Sequence, residues 1–120
     1  MRYVHTLFYG VALRIFLYRI YYQFIEELYN RNALEKLVDL YRMWRGENPT
    51  HIEKLQMAGS NREYYRLSDE NGETVIGVIG TSRDENHAFI YLSEHFTKRQ
   101  LPVPQVLAVS EDERCYLQTD

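Results

Sequence analysis

Three short β-prone runs separated by two tight turns occupy residues 52–79, and they restrict the fold more than any other feature of the sequence. The runs are residues 52–57, 63–67 and 74–79. The second turn contains Asn71-Gly72, a pair that favours hairpins because a type I′ turn needs positive φ at both central positions. The first turn is made of small residues, Ala58-Gly59-Ser60-Asn61. The stretch therefore predicts a three-stranded antiparallel unit.

One helix and two more strands are predicted after this unit. The helix starts at Ser82 to Asp84 and runs to about Arg99, and its predicted buried stripe is Ala88, Phe89, Leu92 and Phe96. The segment Leu101-Pro102-Val103-Pro104 ends the helix because proline forces an extended backbone. Residues 106–109 and 114–119 are predicted strands, and in the last one Cys115 and Leu117 face away from Tyr116 and Gln118. The run 74–79 is nearly all apolar, which is typical of a central strand covered on both faces.

Two helices are predicted before the sheet. Residues 1–30 are rich in aromatic and aliphatic side chains with roughly helical spacing: Val4, Leu7, Phe8, Val11, Ile15, Tyr18, Tyr22 and Ile25. A second helix is predicted from Ala33 to about Arg45, capped by Asn32 and stopped by Gly46. Its docking face is predicted to contain Leu34, Leu37, Val38, Tyr41 and Trp44. The order predicts an α+β domain at residues 32–120 with a mainly antiparallel five-stranded sheet, after an N-terminal helical extension at residues 1–31.

The N-terminal extension leaves three interpretations open. Arg14 and Arg19 interrupt the apolar run, so it does not have the pattern of a membrane span, and no convincing signal-peptide cleavage site follows it. The segment is a helix packed on the domain or on a partner, a helix on a membrane surface, or a poorly ordered extension that reflects the choice of start site.

Composition excludes several functional classes. Net charge is −3 and no basic stripe is present, which argues against nucleic-acid binding. One cysteine among 120 residues excludes an internal disulfide and is compatible with the cytoplasm. The four histidines are scattered singly, so no metal-binding spacing is found.

Two positions in the β-rich stretch are candidates for ligand contact. The small loop at residues 58–61 leaves backbone N–H groups accessible to an anion, although a lone glycine in a hairpin loop is more often a turn residue. Gly77 interrupts the apolar third strand. Either a helix or neighbouring strand packs closely over Gly77, or the missing side chain leaves room for a ligand, and the sequence does not separate these interpretations.

From about Leu34 to Asp120, the sequence resembles the amino-terminal lobe of aminoglycoside-phosphotransferase-like kinases. These are bacterial small-molecule kinases with a protein-kinase-like fold, and the nearest group contains the cell-wall amino-sugar kinases. Three stretches carry the resemblance: residues 58–67 (AGSNREYYRL), residues 85–89 with 101–108 (ENHAF and LPVPQVLA), and residues 115–120 (CYLQTD). Their order and spacing together carry it, and residues 1–30 lie outside it.

The resemblance implies an ATP-dependent phosphotransferase that acts on a hydroxyl of an amino sugar or aminoglycoside-like molecule. It implies that Gly59, Ser60, Asn61 and Arg62 lie over the ATP phosphates, as a small turn with free N–H donors can. It also implies that Glu85 is the helix carboxylate of the site. Gln118 and Thr119 would belong to the hinge that binds adenine.

Two departures from the family pattern limit these expectations. The third strand has no lysine to contact phosphates, since Gly77 or a near neighbour stands at that place, and only Arg83 or Arg62 could substitute as a partner for Glu85. The catalytic and Mg²⁺-binding aspartates of the family belong to a second lobe, which we expect to be absent from this 120-residue chain, leaving the chain inactive alone. The alternative prediction is a non-catalytic α+β interaction domain that uses its N-terminal helix to bind a partner or a membrane.

Overall fold

The described residues form two helices and a five-stranded antiparallel sheet, which confirms the predicted α+β class. The computed structural model describes the backbone of residues 2–120 and the side chains from residue 9 onward. The elements are helix α1 (Arg2–Arg45), strands β1 (His51–Leu55), β2 (Glu63–Ser68) and β3 (Thr74–Ile79), helix α2 (Arg83–Lys98), and strands β4 (Val106–Val109) and β5 (Cys115–Thr119). By its internal contacts the chain divides into two compact units, Met1–Asn32 and Ala33–Asp120.

The prediction of two separate N-terminal helices is wrong, because α1 is one helix of 44 residues. Asn32 lies inside α1 and does not cap a second helix. The physical reason is that no proline precedes Pro49, and a single asparagine costs a helix interior only a fraction of a kcal/mol, about 0.7 at most. The predicted stop is confirmed: Gly46 has φ of +88°, and its N–H donates to the Arg42 carbonyl at 2.8 Å.

The strands lie in the order β1-β2-β3-β5-β4, and every neighbouring pair is antiparallel. In the middle of the sheet, Gly77 of β3 is opposite Tyr65 of β2 and Leu117 of β5. One row further along the strands, Val78 is opposite Tyr64 and Tyr116. Since side chains alternate along each strand, these rows belong to opposite faces of the sheet.

Each face of the sheet carries its own apolar core. On one face, the Ala33–Arg45 part of α1 buries Leu37, Leu40 and Tyr41 against Tyr65, Leu67, Ile79, Cys115 and Leu117. On the other face, Phe89 and Ile90 of α2 contact Ile76, Val78 and Tyr116. We call these the α1 face and the α2 face. The predictions for a doubly covered β3 and for the opposite facing of Cys115 and Tyr116 are confirmed. Trp44 only partly fits its predicted docking role, because it is 36% exposed and lies edge-on to Tyr41.

The predicted buried stripe of α2 is only partly correct. Phe89 is half-buried as expected, but Ala88 and Leu92 are exposed, and the residues that are buried in α2 are Asn86 and Ser93. The reason is hydrogen bonding. Ser93 donates its hydroxyl to the Pro104 carbonyl at 2.6 Å, and Asn86 donates to carbonyls of the β4–β5 turn. Helix α2 therefore satisfies loop carbonyls on its inner side as well as burying apolar surface.

The β2–β3 connection is wider than the predicted Asn-Gly type I′ turn. The strands end at Ser68 and restart at Thr74, and in the turn between them only Gly72 has positive φ. One carboxylate oxygen of Asp69 accepts from the N–H groups of Asn71 and Glu73, both at 2.9 Å. Its other oxygen accepts from Arg45 at 2.6 Å. The buried Asp69 carboxylate therefore organises the turn and connects it to the end of α1.

These contacts predict an acid-sensitive fold. Burial disfavours the Asp69 carboxylate, but the Glu73 and Asn71 N–H groups and Arg45 outweigh it and lower its pKa from the ordinary 3.8. A lowered pKa in the folded state stabilises the fold above the unfolded value, and this stability disappears as pH falls through the folded value. We expect the urea concentration at the unfolding midpoint to decrease as the pH drops below about 4. In Asp69→Asn this decrease should be less steep. Denaturation followed by Trp44 fluorescence at several pH values measures this, and equal slopes for the two proteins would contradict it.

In the Met1–Asn32 unit, the described part of α1 exposes apolar side chains around most of its circumference. Fourteen large ones between residues 9 and 29 are 38–67% exposed. Despite this apolar character, no helix among the described residues combines the length and hydropathy needed to cross a membrane.

Candidate functional site

The loop predicted to bind an anion connects β1 to β2 and lies at the sheet surface. Gly59, Ser60 and Asn61 are all exposed. Gly59 adopts φ of +76°, a backbone conformation that favours glycine. A Cβ there would meet no atom within 4 Å, so the backbone conformation explains the glycine and a lack of space does not. Ser60 Oγ accepts from the Arg62 N–H at 3.1 Å and holds the end of the loop against β2. The loop is therefore an exposed turn at residues 59–61, and the N–H of Arg62 at its end is engaged by Ser60.

Arg62 lies where this loop meets the α2 face. Its guanidinium carbon lies 5.2 Å from the centre of the Phe89 ring, and Nη1 donates to the Tyr116 hydroxyl at 3.3 Å. Phe89 and Tyr116 stack with ring centres 5.4 Å apart. Burial raises the pKa of Tyr116 to about 12, so its hydroxyl stays neutral. These contacts place a half-buried cation beside the loop. They join the start of β2, helix α2 and strand β5, and the spacing of these residues along the sequence does not reveal them.

Gly77 gives no room to a ligand. A Cβ there would lie 2.7 and 2.8 Å from the two methyl carbons of Leu37, and 2.8 Å from a methyl carbon of Leu67. Close packing of α1 over Gly77 is therefore the correct one of the two sequence interpretations. On the α2 face, β3 presents Ile76 and Val78, which are buried and apolar. Neither side of β3 offers a cation at the position where the kinase family has its lysine.

Glu85 lies in the first turn of α2 and forms neither of the ion pairs considered for it. Arg83 contacts Glu113 at 3.7 Å, and Arg62 contacts Tyr116. The Glu85 side chain is exposed, and its backbone N–H donates to Ser82 Oγ at 3.3 Å, which makes Ser82 the N-cap of the helix. Glu85 and Phe89 are four residues apart, so they lie on the same side of α2, near Arg62.

Gln118 and Thr119 lie at the end of β5 remote from the loop. Thr119 pairs with Gln105: its N–H donates to the Gln105 carbonyl at 2.9 Å, and its Oγ1 accepts from the Gln105 N–H at 3.0 Å. Gln118 shares the α2 face with Tyr116, two residues before it. Its Oε1 is buried and has no hydrogen-bond partner. A buried acceptor without a donor is uncommon and marks Gln118 as a candidate ligand contact.

A polar cluster that sequence reasoning missed lies next to Gln118. Asp120 accepts from Arg66 Nε at 2.7 Å and from Thr74 Oγ1 at 2.6 Å, joining the ends of β2, β3 and β5. Arg66 also approaches Glu53 of β1 at 3.9 Å. Hydrogen bonds from Arg66 and Thr74 lower the pKa of Asp120. Only the register places these residues together, and no spacing in the sequence signals it.

The predicted site residues therefore form two groups at opposite ends of the sheet, and at the far end Gln118 lies on the α2 face and Thr119 on the α1 face. The loop with Arg62 and Glu85 lies at one end, and Gln118 with Thr119 lies at the other. Gln118 is level with Arg66, four residues along the chain from Arg62, so the two groups are separated by about 13 Å at ~3.3 Å per strand residue. This separation suits an elongated ligand and does not suit a compact catalytic cluster.

Within the described part of the chain, no group of three His, Cys, Asp or Glu side chains is placed to hold a metal ion. In comparisons with known proteins, no protein-family model and no curated sequence matches the chain.

Proposed function

We propose that residues 33–120 form the nucleotide-binding lobe of an ATP-dependent phosphotransferase with a protein-kinase-like fold. The observation that carries the proposal is the arrangement of the sheet. Three hairpin-connected strands are followed by a helix and then by two more strands, and the order is β1-β2-β3-β5-β4. The exposed small-residue loop lies at one end of this sheet, and Gln118, within the segment that resembles the adenine-binding hinge, lies at the other.

The loop end supports phosphate binding. Backbone N–H groups of an exposed turn can donate to phosphate oxygens without moving a side chain. The Arg62 guanidinium is held next to the loop by Phe89 and Tyr116, so it is already oriented for an anion. In this proposal Arg62 supplies the positive charge that β3 lacks, and Glu85 orients Arg62 once the nucleotide is bound.

The other end supports adenine binding. Gln118 Oε1 is an acceptor without a donor, and the exocyclic amino group of adenine is a donor of suitable geometry. The proposal thus places the adenine at Gln118 and the phosphates at the loop, at the other end of the strands, ~3.3 Å away for each of the four strand residues between them.

The acceptor in this proposal is a hydroxyl of an amino sugar or of an aminoglycoside-like molecule. Mg²⁺ would be held by acidic residues of a second lobe together with the phosphates. Transfer would therefore need both lobes. If the coding sequence downstream of Asp120 contains a His-x-Asp followed by a further Asp, the proposal gains direct support.

Nucleotide titration tests the proposal at residue resolution. We expect weak binding of ATP–Mg²⁺, with a dissociation constant in the millimolar range or a binding free energy of about −4 kcal/mol, because a one-lobed site stays open to water. In ¹H–¹⁵N NMR spectra, inorganic triphosphate should shift the amides of Gly59 to Arg62, and adenosine should shift those of Gln118 and Thr119. ATP should shift both groups.

Two variants serve as controls for this titration. Arg62→Ala should weaken the response to triphosphate and leave the response to adenosine unchanged, and Gln118→Leu should do the reverse. Shifts spread evenly over the sheet, or no shift at roughly ten-millimolar nucleotide, would contradict the proposal.

A second candidate function is a non-catalytic interaction domain. The apolar β3, which lacks a cation on either face, and the exposed apolar side chains of residues 9–29 favour it. Nucleotide-independent binding to a protein or lipid surface, without the shifts described above, would select this alternative.

A further inference from the structure

The helix that contains residues 9–32 needs a covering surface. A helix that is apolar around most of its circumference is normally buried against protein or lipid. The question is therefore which surface covers it, and its heptad pattern and charges give an answer.

Six exposed apolar residues of this helix follow a heptad repeat. Their spacings alternate between four and three residues, as in the a and d positions of a coiled coil: Val11, Ile15, Tyr18, Tyr22, Ile25 and Tyr29. All six are 43–61% exposed. We call them the seam. The Tyr18 hydroxyl donates to the Tyr22 hydroxyl at 2.8 Å, and the two rings lie 4.5 Å apart, so the middle of the seam is ordered within one helix.

We propose that the seam binds a second copy of this chain, with the two helices antiparallel and Tyr22 opposite Ile25 of the second copy. In this register, Tyr18 lies opposite Tyr29 of the second copy. The four seam residues from Tyr18 to Tyr29 then pair with each a position opposite a d position, as in antiparallel coiled coils, about a two-fold axis. Ile15 and Val11 lie outside this paired stretch, opposite Asn32 and Lys36 of the second copy.

The charges beside the seam select this orientation. Arg19 and Glu26 occupy e positions, and Arg14 occupies a g position. A parallel pair in register would place Arg14 of one copy beside Arg19 of the other, which is repulsive. Antiparallel pairs shifted by one heptad in either direction would place Arg19 beside Arg19, or Glu26 beside Glu26. Only the proposed register places Arg19 of each copy beside Glu26 of the other. The two Arg19–Glu26 pairs then lie on either side of the two-fold axis.

The surface shape and charge also favour a helix over a membrane as the occupant. Tyr18, Arg19, Tyr22, Gln23 and Glu26 line a shallow groove that can receive a side chain of a facing helix. The polar stripe that borders the seam contains Arg19, Gln23, Glu26 and Asn30. A helix bound to a membrane surface has Lys and Arg on a wider polar face, and an acid within the stripe does not suit anionic lipid.

A pair leaves a second apolar stripe exposed on the far side of each helix, formed by Leu13, Phe16, Leu17, Ile20 and Phe24. We therefore expect a dimer to be the smallest species, with further association of dimers at higher protein concentration.

Charge reversal in the full chain tests the pairing. Arg19→Glu and Glu26→Arg should each weaken self-association roughly ten-fold, because each change replaces two attractive contacts by two repulsive ones. The double variant Arg19→Glu/Glu26→Arg should restore the wild-type dissociation constant. Sedimentation equilibrium at low salt measures this, since salt screens exposed charges. Arg31→Glu lies outside the seam and serves as the matched control, with unchanged association.

Cross-linking tests the orientation. An equimolar mixture of Tyr18→Cys and Tyr29→Cys should form disulfide-linked heterodimers, and Val11→Cys alone should form none, because its two copies lie at opposite ends of the pair. The native Cys115 is 1% exposed and should stay unreactive. A monomer at all concentrations, a cross-link between two Val11→Cys chains, or a monomer that binds vesicles of anionic lipid would each overturn the proposal.

Discussion

Replacement of Gly77 by valine is expected to destabilise the Ala33–Asp120 unit by about 3 kcal/mol, the upper part of the usual range for overpacked cores. A Cβ at this position meets methyl groups of Leu37 and Leu67 at 2.7–2.8 Å, and both leucines are fully buried. Gly77→Ala should cost less, about 1 kcal/mol, because leucine methyl groups can move a few tenths of an ångström. Urea denaturation followed by the fluorescence of Trp44, the only tryptophan, measures both changes.

A double-mutant cycle connects this cost to the α1 contact. Leu37→Ala alone should cost about 3 kcal/mol, because it leaves a cavity over the sheet. The variant Gly77→Val/Leu37→Ala should cost at least about 1 kcal/mol less than the sum of the two single changes, because the valine fills part of that cavity. If Gly77→Val were neutral, the position would have the open space that a ligand requires.

The strands could be predicted because their signals are local. The run at residues 74–79 has no polar side chain after Thr74, and this alone identifies a strand covered on both faces. The segment at residues 101–104 ends α2 because proline fixes φ and lacks an N–H. Neither inference needs knowledge of a distant contact. The structure confirms the doubly covered strand and places the end of α2 at Lys98, followed by Gln100 with φ of +59° before the prolines.

The structure differs from the predictions where a distant contact decides. Asn32 has the composition of a helix cap, but capping occurs only where a helix breaks, and no residue near it breaks α1. Asn71-Gly72 favours a two-residue turn, yet the Asp69 carboxylate holds two N–H groups and widens the turn. Asn86 lies outside the predicted apolar stripe of α2, and the turn that it contacts lies 27 residues away.

The candidate site shows the same division. The loop at residues 58–62 and the end of β5 could be located from turn chemistry and from the alternation of apolar and polar residues. The stack of Arg62 on Phe89, and the link from Asp120 to Arg66, each join elements far apart in the sequence. Only the strand register brings these residues together, so their roles depend on the geometry.

The contact between Gly80 and Asn86 gives the second large expected effect. Asn86 is fully buried, and its Nδ2 donates to the carbonyls of Glu113 at 2.8 Å and Arg114 at 3.0 Å. A Cβ at residue 80 would lie 2.2 Å from Asn86 Oδ1, so only glycine fits beside this side chain. The contact fixes the first turn of α2, which carries Glu85, to the β4–β5 turn.

Asn86→Ala should therefore cost about 3 kcal/mol, since two hydrogen bonds of about 1 kcal/mol each are lost from a fully buried side chain and the Glu113 carbonyl loses its donor. Gly80→Ala alone should cost about the same, because the methyl group displaces the Asn86 side chain. The double variant should cost no more than Asn86→Ala, because the added methyl group occupies the space that asparagine vacates.

Urea denaturation followed by Trp44 fluorescence compares these three variants with Thr81→Ala. Thr81 is exposed and adjacent to Gly80, so its replacement should change the free energy of unfolding by less than about 0.5 kcal/mol. Additive costs of Gly80→Ala and Asn86→Ala would show that the two residues act independently. Asn86 would then anchor α2 to the β4–β5 turn through its two hydrogen bonds, whatever residue stands at position 80.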